Sequence, residues 1–463
     1  MILTMDKISD KETSDSARAG RHPRGLATLF FTELWERFSY YGMRSILVLY
    51  MVAPAAQGGL GFEVKHATSL YGTYTMWVYL TALPGGLMAD RLLGAKLAVL
   101  LGGIVIACGH VSMVFHSMSF FYAGLALIAM GTGLLKPNIS TMVGSLYSED
   151  DPRRDSGFSI FYMGINIGAI LAPLCVGYLA QGESFKRFLA GMGFDPAKSW
   201  HWGFGAAAIG MTLGLIVFLL NRRRLEQVGN RTKRPRTSEK QVAASQPLTR
   251  TDWKRIGAIV IFFIFTILFW AAYEQKGASL NLFAKELVRT EVFGMRFPSS
   301  FMQSLTPLFV ILLAPVFSIL WVRLGKRQPS SPVKFTLGLL FIGLAYCLLV
   351  PAAWMTAYGR ISPLWLVGLY FLEVVGEMCL SPVGLSTVTK LAPVKLVGIM
   401  MGIWFLATSF GNKLAGYLSG FFVANNPMQL VKLYGGIAAG LLISAGLLAL
   451  LTPRVKKLMG SVN

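Results

Sequence analysis

Residues 33–44 read Glu33-Leu-Trp-Glu36-Arg37-Phe38-Ser-Tyr40-Tyr41-Gly42-Met-Arg44. They lie inside an otherwise apolar run, roughly Leu26 to Val52, that is long enough to cross a bilayer as a helix. At about 100° per residue, Glu36, Tyr40, Glu33, Arg44, Arg37 and Tyr41 follow one another around one side, within an arc of roughly 140°. An ionised side chain at bilayer depth costs about 2.5–3.5 kcal/mol, so four facing lipid would cost on the order of 10 kcal/mol. The charged side must therefore face a polar cavity or other charges. A salt-bridge ladder that only holds helices together is the plainer account. The tyrosines interleaved with the charges favour a binding wall.

Composition sets the frame for that helix. Of 463 residues, 54% are hydrophobic and 14% charged, with a mean hydropathy of +0.56. These values exclude a soluble globular protein and point to a polytopic membrane protein. Cys108, Cys175, Cys347 and Cys379 all sit in apolar runs, and the five histidines show no ligand spacing. Neither a disulfide framework nor a metal or cofactor site is expected. The N-terminus up to Arg24 is polar and mixed in charge, without the apolar core of a cleavable signal peptide. The first spanning helix is expected to serve as the insertion signal.

Apolar runs of spanning length occur near 26–52, 68–89, 95–117, 120–146, 156–180 and 202–221. After a gap they resume near 255–283, 300–322, 333–356, 362–390, 396–424 and 430–452. Twelve spans are expected, in two groups of six: 25–221 and 255–452. A tail of 1–24, a basic linker of 222–254 and a tail of 453–463 complete the division. The segment from Asn221 to Arg255 holds eleven Lys/Arg and no apolar run, with room for a short helix lying on the membrane. With both termini and alternate loops on one side, that side collects 29 of the 43 basic residues and the other side nine. Both termini are expected to be cytoplasmic, in the plasma (inner) membrane. The net charge of +21 is then topological and does not signal nucleic acid.

Five basic residues remain within the spans, Arg37, Arg44, Lys136, Lys276 and Lys413, against the acids Glu33, Glu36, Glu274, Glu373 and Glu377. Equal numbers of both signs at membrane depth suggest exchangeable charges lining a water-filled route. The fourth span places Lys136 beside a helix-distorting proline, in Lys136-Pro137-Asn138, too deep in its run for the ammonium to reach the interface. The fifth carries Gly157-Phe158 through Phe161-Tyr162 to Asn166 and Gly168; Asn166 needs hydrogen-bond partners and serves either as interhelical glue or as a substrate contact. In the seventh, Trp270 and Glu274 are four apart and share a face. In the tenth, Glu373, Glu377 and Ser381 stack at the same interval, just before Pro382-Val-Gly384-Leu-Ser386. A buried carboxylate that gains or loses a cation is a natural proton switch.

The pattern Glu33-x-x-Glu36-Arg37-Phe38-x-Tyr40-Tyr41 resembles the first-helix motif of the proton-coupled oligopeptide transporters, a branch of the major facilitator superfamily. The Lys136-Pro137-Asn138, Phe158–Gly168, Trp270–Ser279 and Gly376-Glu377-x-x-x-Ser381-Pro382 stretches resemble further signatures of that family. Gly85-Gly86-Leu-Met-Ala-Asp90-Arg91 is similar to the superfamily's loop signature, and Arg323-Leu-Gly325-Lys326-Arg327 is a worn echo of it. The resemblance implies a proton-coupled symporter that imports di- and tripeptides by alternating access, and no enzymatic activity. By similarity, Arg44 with Glu274 would close the outside, and Lys136 with Glu377 would close the cytoplasmic side. Arg37, Arg44 and Lys136 would hold the peptide carboxylate, and Glu377 and Asn166 its amino end. Tyr40, Tyr41, Tyr79, Trp270, Ser381 and Trp404 would shape the pockets. Glu33, Glu36, Arg37, Glu274 and Glu377 would couple protons. The expected partners are the peptide, protons and the lipid bilayer, with no obligate protein partner.

The chain departs from the family pattern in places. Thr306 stands before Pro307 where the family usually has asparagine, and the linker is too short and polar for the two extra helices of many bacterial members. Gly72 occupies the place of a proton-linked histidine found in animal members, and Glu373 is an additional acid. Two other readings stand beside peptide symport. One is a relative carrying another small anion or zwitterion, such as nitrate or a modified amino acid. The other is a non-transporting nutrient sensor, which would have little need of both gate pairs.

Overall fold

The computed structural model describes residues 21–148, 151–226, 228, 248–292, 294–393 and 396–460. The first twenty residues, Lys395 and the centre of the linker at 229–247, where the sequence leaves room for a surface helix, lie outside the described residues.

The described residues are almost wholly helical. In order they form α1 (Arg24–Val52), α2 (Val64–Leu80), α3 (Ala82–Met88), α4 (Ala95–Ser112), α5 (Met118–Ser145), α6 (Arg154–Gln181), α7 (Glu183–Gly191) and α8 (Ser199–Leu220). After the linker come α9 (Arg250–Tyr273), α10 (Ser279–Leu287), α11 (Leu305–Leu324), α12 (Ser331–Met355), α13 (Leu364–Leu391), α14 (Val397–Ser419) and α15 (Pro427–Met459). A two-residue antiparallel hairpin, β1 (Glu291–Val292) with β2 (Met295–Arg296), pairs Glu291 with Arg296 between α10 and α11. Taking α2 with α3 and α9 with α10 as single spans, and setting aside the nine-residue α7, the described residues make two groups of six.

Among the described residues, nine helical segments are long and apolar enough to cross a membrane by composition alone. The other three spans are α1, with its buried charges, the broken α2–α3, and α14, which carries Thr408, Ser409, Asn412 and Lys413. Polar content, which hides these helices from a hydropathy count, is what the interior of the bundle requires of them.

Each half packs on its own: α1 against α6 and α8, α4 against α5, α12 against α13 and α15, and α9 against α14. The halves meet along α2 with α14 and along α6 with α11. These contacts are equivalent under exchange of the halves, as a parallel-repeat architecture demands. At the α2–α14 crossing, a Cβ on Gly72 would stand 2.8 Å from the Gly416 Cα. The expected departure at Gly72 thus has a packing cause. A histidine there would drive the halves apart.

The third and eleventh spans end at Ser112 and Ser419, short of the expected 117 and 424, and three others differ in shape or extent. The second begins at Val64, not 68; it bends at Thr81, whose hydroxyl donates to the Ala129 carbonyl at 2.8 Å, and ends in a wide π turn over Ala89–Leu93. The left-handed Gly94 (φ 77°) then stops it. The seventh is not continuous over 255–283. It breaks after Tyr273 into a tight turn over Glu274–Gly277, and Ala278 lies outside helical space (φ −125°, ψ −98°). Gln275 bridges the gap, accepting from Ser279 and Ser419 at 2.6 Å each and donating to the Ala415 carbonyl at 3.2 Å. The twelfth span continues as helix to Met459, through the stretch expected as tail.

Candidate functional site

The α1 charges face inward as their angular order requires. Glu33, Glu36 and Arg37 are buried, with Arg37 Nε 3.1 Å from Glu33 Oε1 and hydrogen-bonded to Glu36. One oxygen of each carboxylate and one Arg37 Nη have no protein partner. Two carboxylates around one guanidinium leave a negative charge over. The next cation is Lys136 of α5, within electrostatic range of both acids. Its ammonium lies 4.0 Å from the centre of the Tyr79 ring. Arg37 lies 5.5 Å from the centre of the Tyr40 ring, and Tyr40 packs edge-on against Tyr41.

Further along α1, Arg44 crosses to the other half. It pairs with Glu274, in the turn that ends α9, and hydrogen-bonds the Tyr71 hydroxyl of α2. All three side chains are buried. Gly277 is required here, since a Cβ on it would collide with the Tyr71 hydroxyl. The break in the seventh span is therefore what presents Glu274 to Arg44. Asn281 of α10 and Gln303, just before α11, both donate to the Ser45 carbonyl, at 2.8 and 3.1 Å. Ser304 donates to the Ile170 carbonyl of α6 at 2.8 Å, and Lys413 of α14 to Thr73 of α2 at 2.6 Å. At this end the two halves are stitched together.

At Lys136 and Glu377, among the described residues, no side-chain hydrogen bond or ion pair crosses between the halves. No ion pair joins Lys136 to Glu377 in this structure. Glu377 accepts instead from the Tyr273 hydroxyl within its own half, and Lys276 sits 3.2 Å from the centre of the Tyr273 ring. Asn166 donates to the Tyr162 carbonyl one turn back along α6 at 2.9 Å, and the exposed Tyr162 ring lies within electrostatic range of Glu377. Trp270 packs edge-on against Tyr273, with its indole N–H unpartnered. Ser381 is half-buried, one turn beyond Glu377. Trp404 is packed inside the second half, against Gly384 and edge-on to Phe335. The Thr306 hydroxyl is buried without a partner.

The arrangement has a polarity. Arg37 and Lys136 belong to the first half, and Glu377 and Lys276 to the second, with aromatic rings on both sides. Tyr71, Tyr273, Asn281 and Gln303 complete it and are absent from the sequence-based set. Tyr71 and Tyr79 are eight apart on one helix, so their shared face is readable from spacing. The two amides bond a backbone carbonyl across the interface, which leaves no pattern in the chain.

The sequence profile of the POT family matches residues 96–250 and 231–433. The peptide transporter YePEPT of Yersinia enterocolitica subsp. palearctica serotype O:3 (strain YE-P4) is 37% identical, covering 98% of this chain and 99% of its own. The di-/tripeptide transporter of Lactococcus lactis subsp. lactis (strain IL1403) is 36% identical over 95% of this chain and 97% of its own. A crystal structure of a glutamate-to-glutamine variant of the peptide transporter POT, in complex with alafosfalin, superposes with a TM-score of 0.86 at 38% identity, covering 95% of this chain and 96% of that one. With the fold of the major facilitator superfamily and matches that run nearly end to end, the chain belongs to the POT family, the proton-coupled oligopeptide transporters.

Proposed function

We propose that the protein is a proton-coupled symporter that imports di- and tripeptides across the plasma membrane, with both termini cytoplasmic. The observation that carries the reading is the asymmetry of the two charge pairs: Arg44–Glu274 is closed across the halves while Lys136 and Glu377 stand apart. Alternating access needs one gate shut and the other free. In this reading the structure is closed to the outside and poised toward the cytoplasm. The peptide carboxylate would lie against Arg37 and Lys136, and its amino group against Glu377. Aromatic walls tolerate varied side chains between those ends. The peptide names carried by the relatives support this substrate class.

Proton coupling supplies the driving force. An inside-negative potential of roughly 150 mV gives about 3.5 kcal/mol for one imported charge, enough to concentrate a neutral peptide by two to three decades. The test is uptake into proteoliposomes with an imposed pH gradient, with dialanine compared with nitrate. Gradient-driven accumulation of dialanine is expected. Accumulation of nitrate alone would assign the chain to an anion carrier, and flux of neither solute would favour a sensor.

A further inference from the structure

Two carboxylates stand one turn apart on α13, and the gate account uses only Glu377. Glu373 is fully buried, and neither of its oxygens has a hydrogen-bond partner in the protein. The groups within electrostatic range of it are Tyr273 of α9, Lys276 and Glu274 from the α9–α10 break, Tyr346 from α12, and Tyr370 and Glu377 on α13 itself. Tyr346 spends its hydroxyl on the Ala272 carbonyl at 2.8 Å, and Tyr434 of α15 directs its own at Ser279. α11 contributes apolar Val310 against Val374. Lys276 is the cation of this set. Lys413, the other lysine at membrane depth in this half, is turned away to Thr73.

A charge count follows from that geometry. With Arg44 holding Glu274, Lys276 is the cation within electrostatic range of both Glu373 and Glu377, and it forms an ion pair with neither. An uncompensated charge in a buried cluster is costly, and a proton on one carboxyl removes it. Tyr273 donates to Glu377 and so favours the anion there. Glu373, with no donor, is the natural holder of the proton. When Arg44 leaves and Lys136 takes Glu377, the balance changes: Lys276 is then left to Glu274 and Glu373. Glu373 belongs to the under-compensated pair in both arrangements.

We propose that Glu373 is a proton-holding carboxyl of the transport cycle, standing between the acid of the Arg44 gate and the acid of the Lys136 gate. The proton leaves the Glu274 carboxyl as Arg44 arrives, is held on Glu373, and departs by way of Glu377. One O–H bond breaks as another forms, and Lys276 stays charged throughout. The proposal rests on the symport reading above.

Two measurements test it. In infrared spectra of the purified protein at neutral pH, wild type should show the carbonyl stretch of a buried protonated carboxyl that is absent from Glu373→Gln and shifted in Glu373→Asp. An identical band in wild type and Glu373→Gln overturns the assignment, whether or not the protein carries peptides. In proteoliposomes, Glu373→Gln should lose gradient-driven accumulation of dialanine while counterflow of dialanine continues, and Glu373→Asp should recover accumulation. Wild-type accumulation in Glu373→Gln, or loss of counterflow together with accumulation, overturns the coupling role. A wild type that moves no dialanine defeats the symport reading, and the infrared comparison still decides the proton on Glu373.

Discussion

Arg44 of α1 and Glu274, at the broken end of α9, form a buried ion pair across the two halves of the molecule. The pair is 230 residues apart in sequence and depends on a helix break and a glycine at Gly277. Removing one partner of a buried pair costs about 3–5 kcal/mol. Arg44→Gln or Glu274→Gln should therefore lower the population of the closed state by about a hundredfold or more. Proton-driven uptake should fall in both variants. Uptake at the wild-type rate in both would show the pair to be dispensable for gating.

The crossing at Gly72 makes a separate prediction about the same closure. A Cβ there would meet Gly416 Cα at 2.8 Å and the Asn412 carbonyl oxygen at 3.0 Å, and both are backbone atoms that cannot rotate away. Gly72→Ala should hold the Arg44 end apart while each half stays folded. A cysteine placed near that end should become more reactive to a membrane-impermeant thiol reagent. Unchanged labelling together with unchanged uptake would show that the helices absorb the methyl group.

The amino-acid sequence carries much of this arrangement openly. Charge on an apolar helix must be sheltered, so the inward face of α1 follows from the spacing of Glu33, Glu36, Arg37, Tyr40 and Arg44 alone. The partition into two groups of six follows from apolar runs and the basic linker. The break after Tyr273 is hidden, because Gln275, Lys276 and Gly277 read as a polar patch in a continuous span. What makes the break is Gln275 bonding α10 and α14, a contact that reaches segments 140 residues apart. The role of Gly72 is hidden for a similar reason: a glycine in an apolar helix does not announce the second glycine it touches. Glu373 is visible as an extra acid, but its surroundings lie on other helices.

Outside the membrane, Asp151 takes a bidentate grip from Arg153, with Oδ2 to Nη2 at 2.8 Å and Oδ1 to Nε at 3.0 Å, and accepts the Arg153 backbone N–H at the start of α6. These hydrogen bonds hold its carboxyl down, at about 2 against an ordinary 3.8. A depressed carboxyl contributes its stability above the unfolded value and loses it as pH falls through the folded one. The loop should be firm at neutral pH and loosen toward pH 2. Asp151→Asn should raise amide exchange at the start of α6 at neutral pH and converge with wild type in strong acid. A gap between the two that is independent of pH would remove the carboxylate from the explanation.

Substrate chemistry offers a direct check on the polarity of the site. If Arg37 and Lys136 receive the carboxylate and Glu377 the amino group, masking either end of dialanine removes one charged contact. Hydrogen bonds involving a charged group contribute about 1.5–3 kcal/mol each, so N-acetylated or C-amidated dialanine should compete roughly ten- to a hundredfold less well. Equal competition by all three compounds would sink the clamp.

The last prediction concerns coupling at Glu377. Tyr273 holds this carboxylate in the present arrangement, and Lys136 rests on Tyr79, so each gate residue has a partner to leave before the two can meet. If the proposed pair forms, an ionised Glu377 would favour the state shut at the Lys136 end. A peptide bound, as proposed, by its amino group to Glu377 and by its carboxylate to Lys136 would compete with that bridge. A ligand shifts two states only through its differential affinity for them. Removing the bridge should therefore separate binding from gating. In Glu377→Gln, the amide still accepts from Tyr273 but can neither attract Lys136 nor change its charge. Proton-driven accumulation should be lost, while slow peptide counterflow, which requires no net proton movement, persists. The measurement is dialanine uptake by the variant in proteoliposomes from mildly acidic to neutral external pH, with counterflow in the same vesicles. Accumulation equal to wild type across that range would refute the assignment of Glu377 as the switch that ties the gate to the proton.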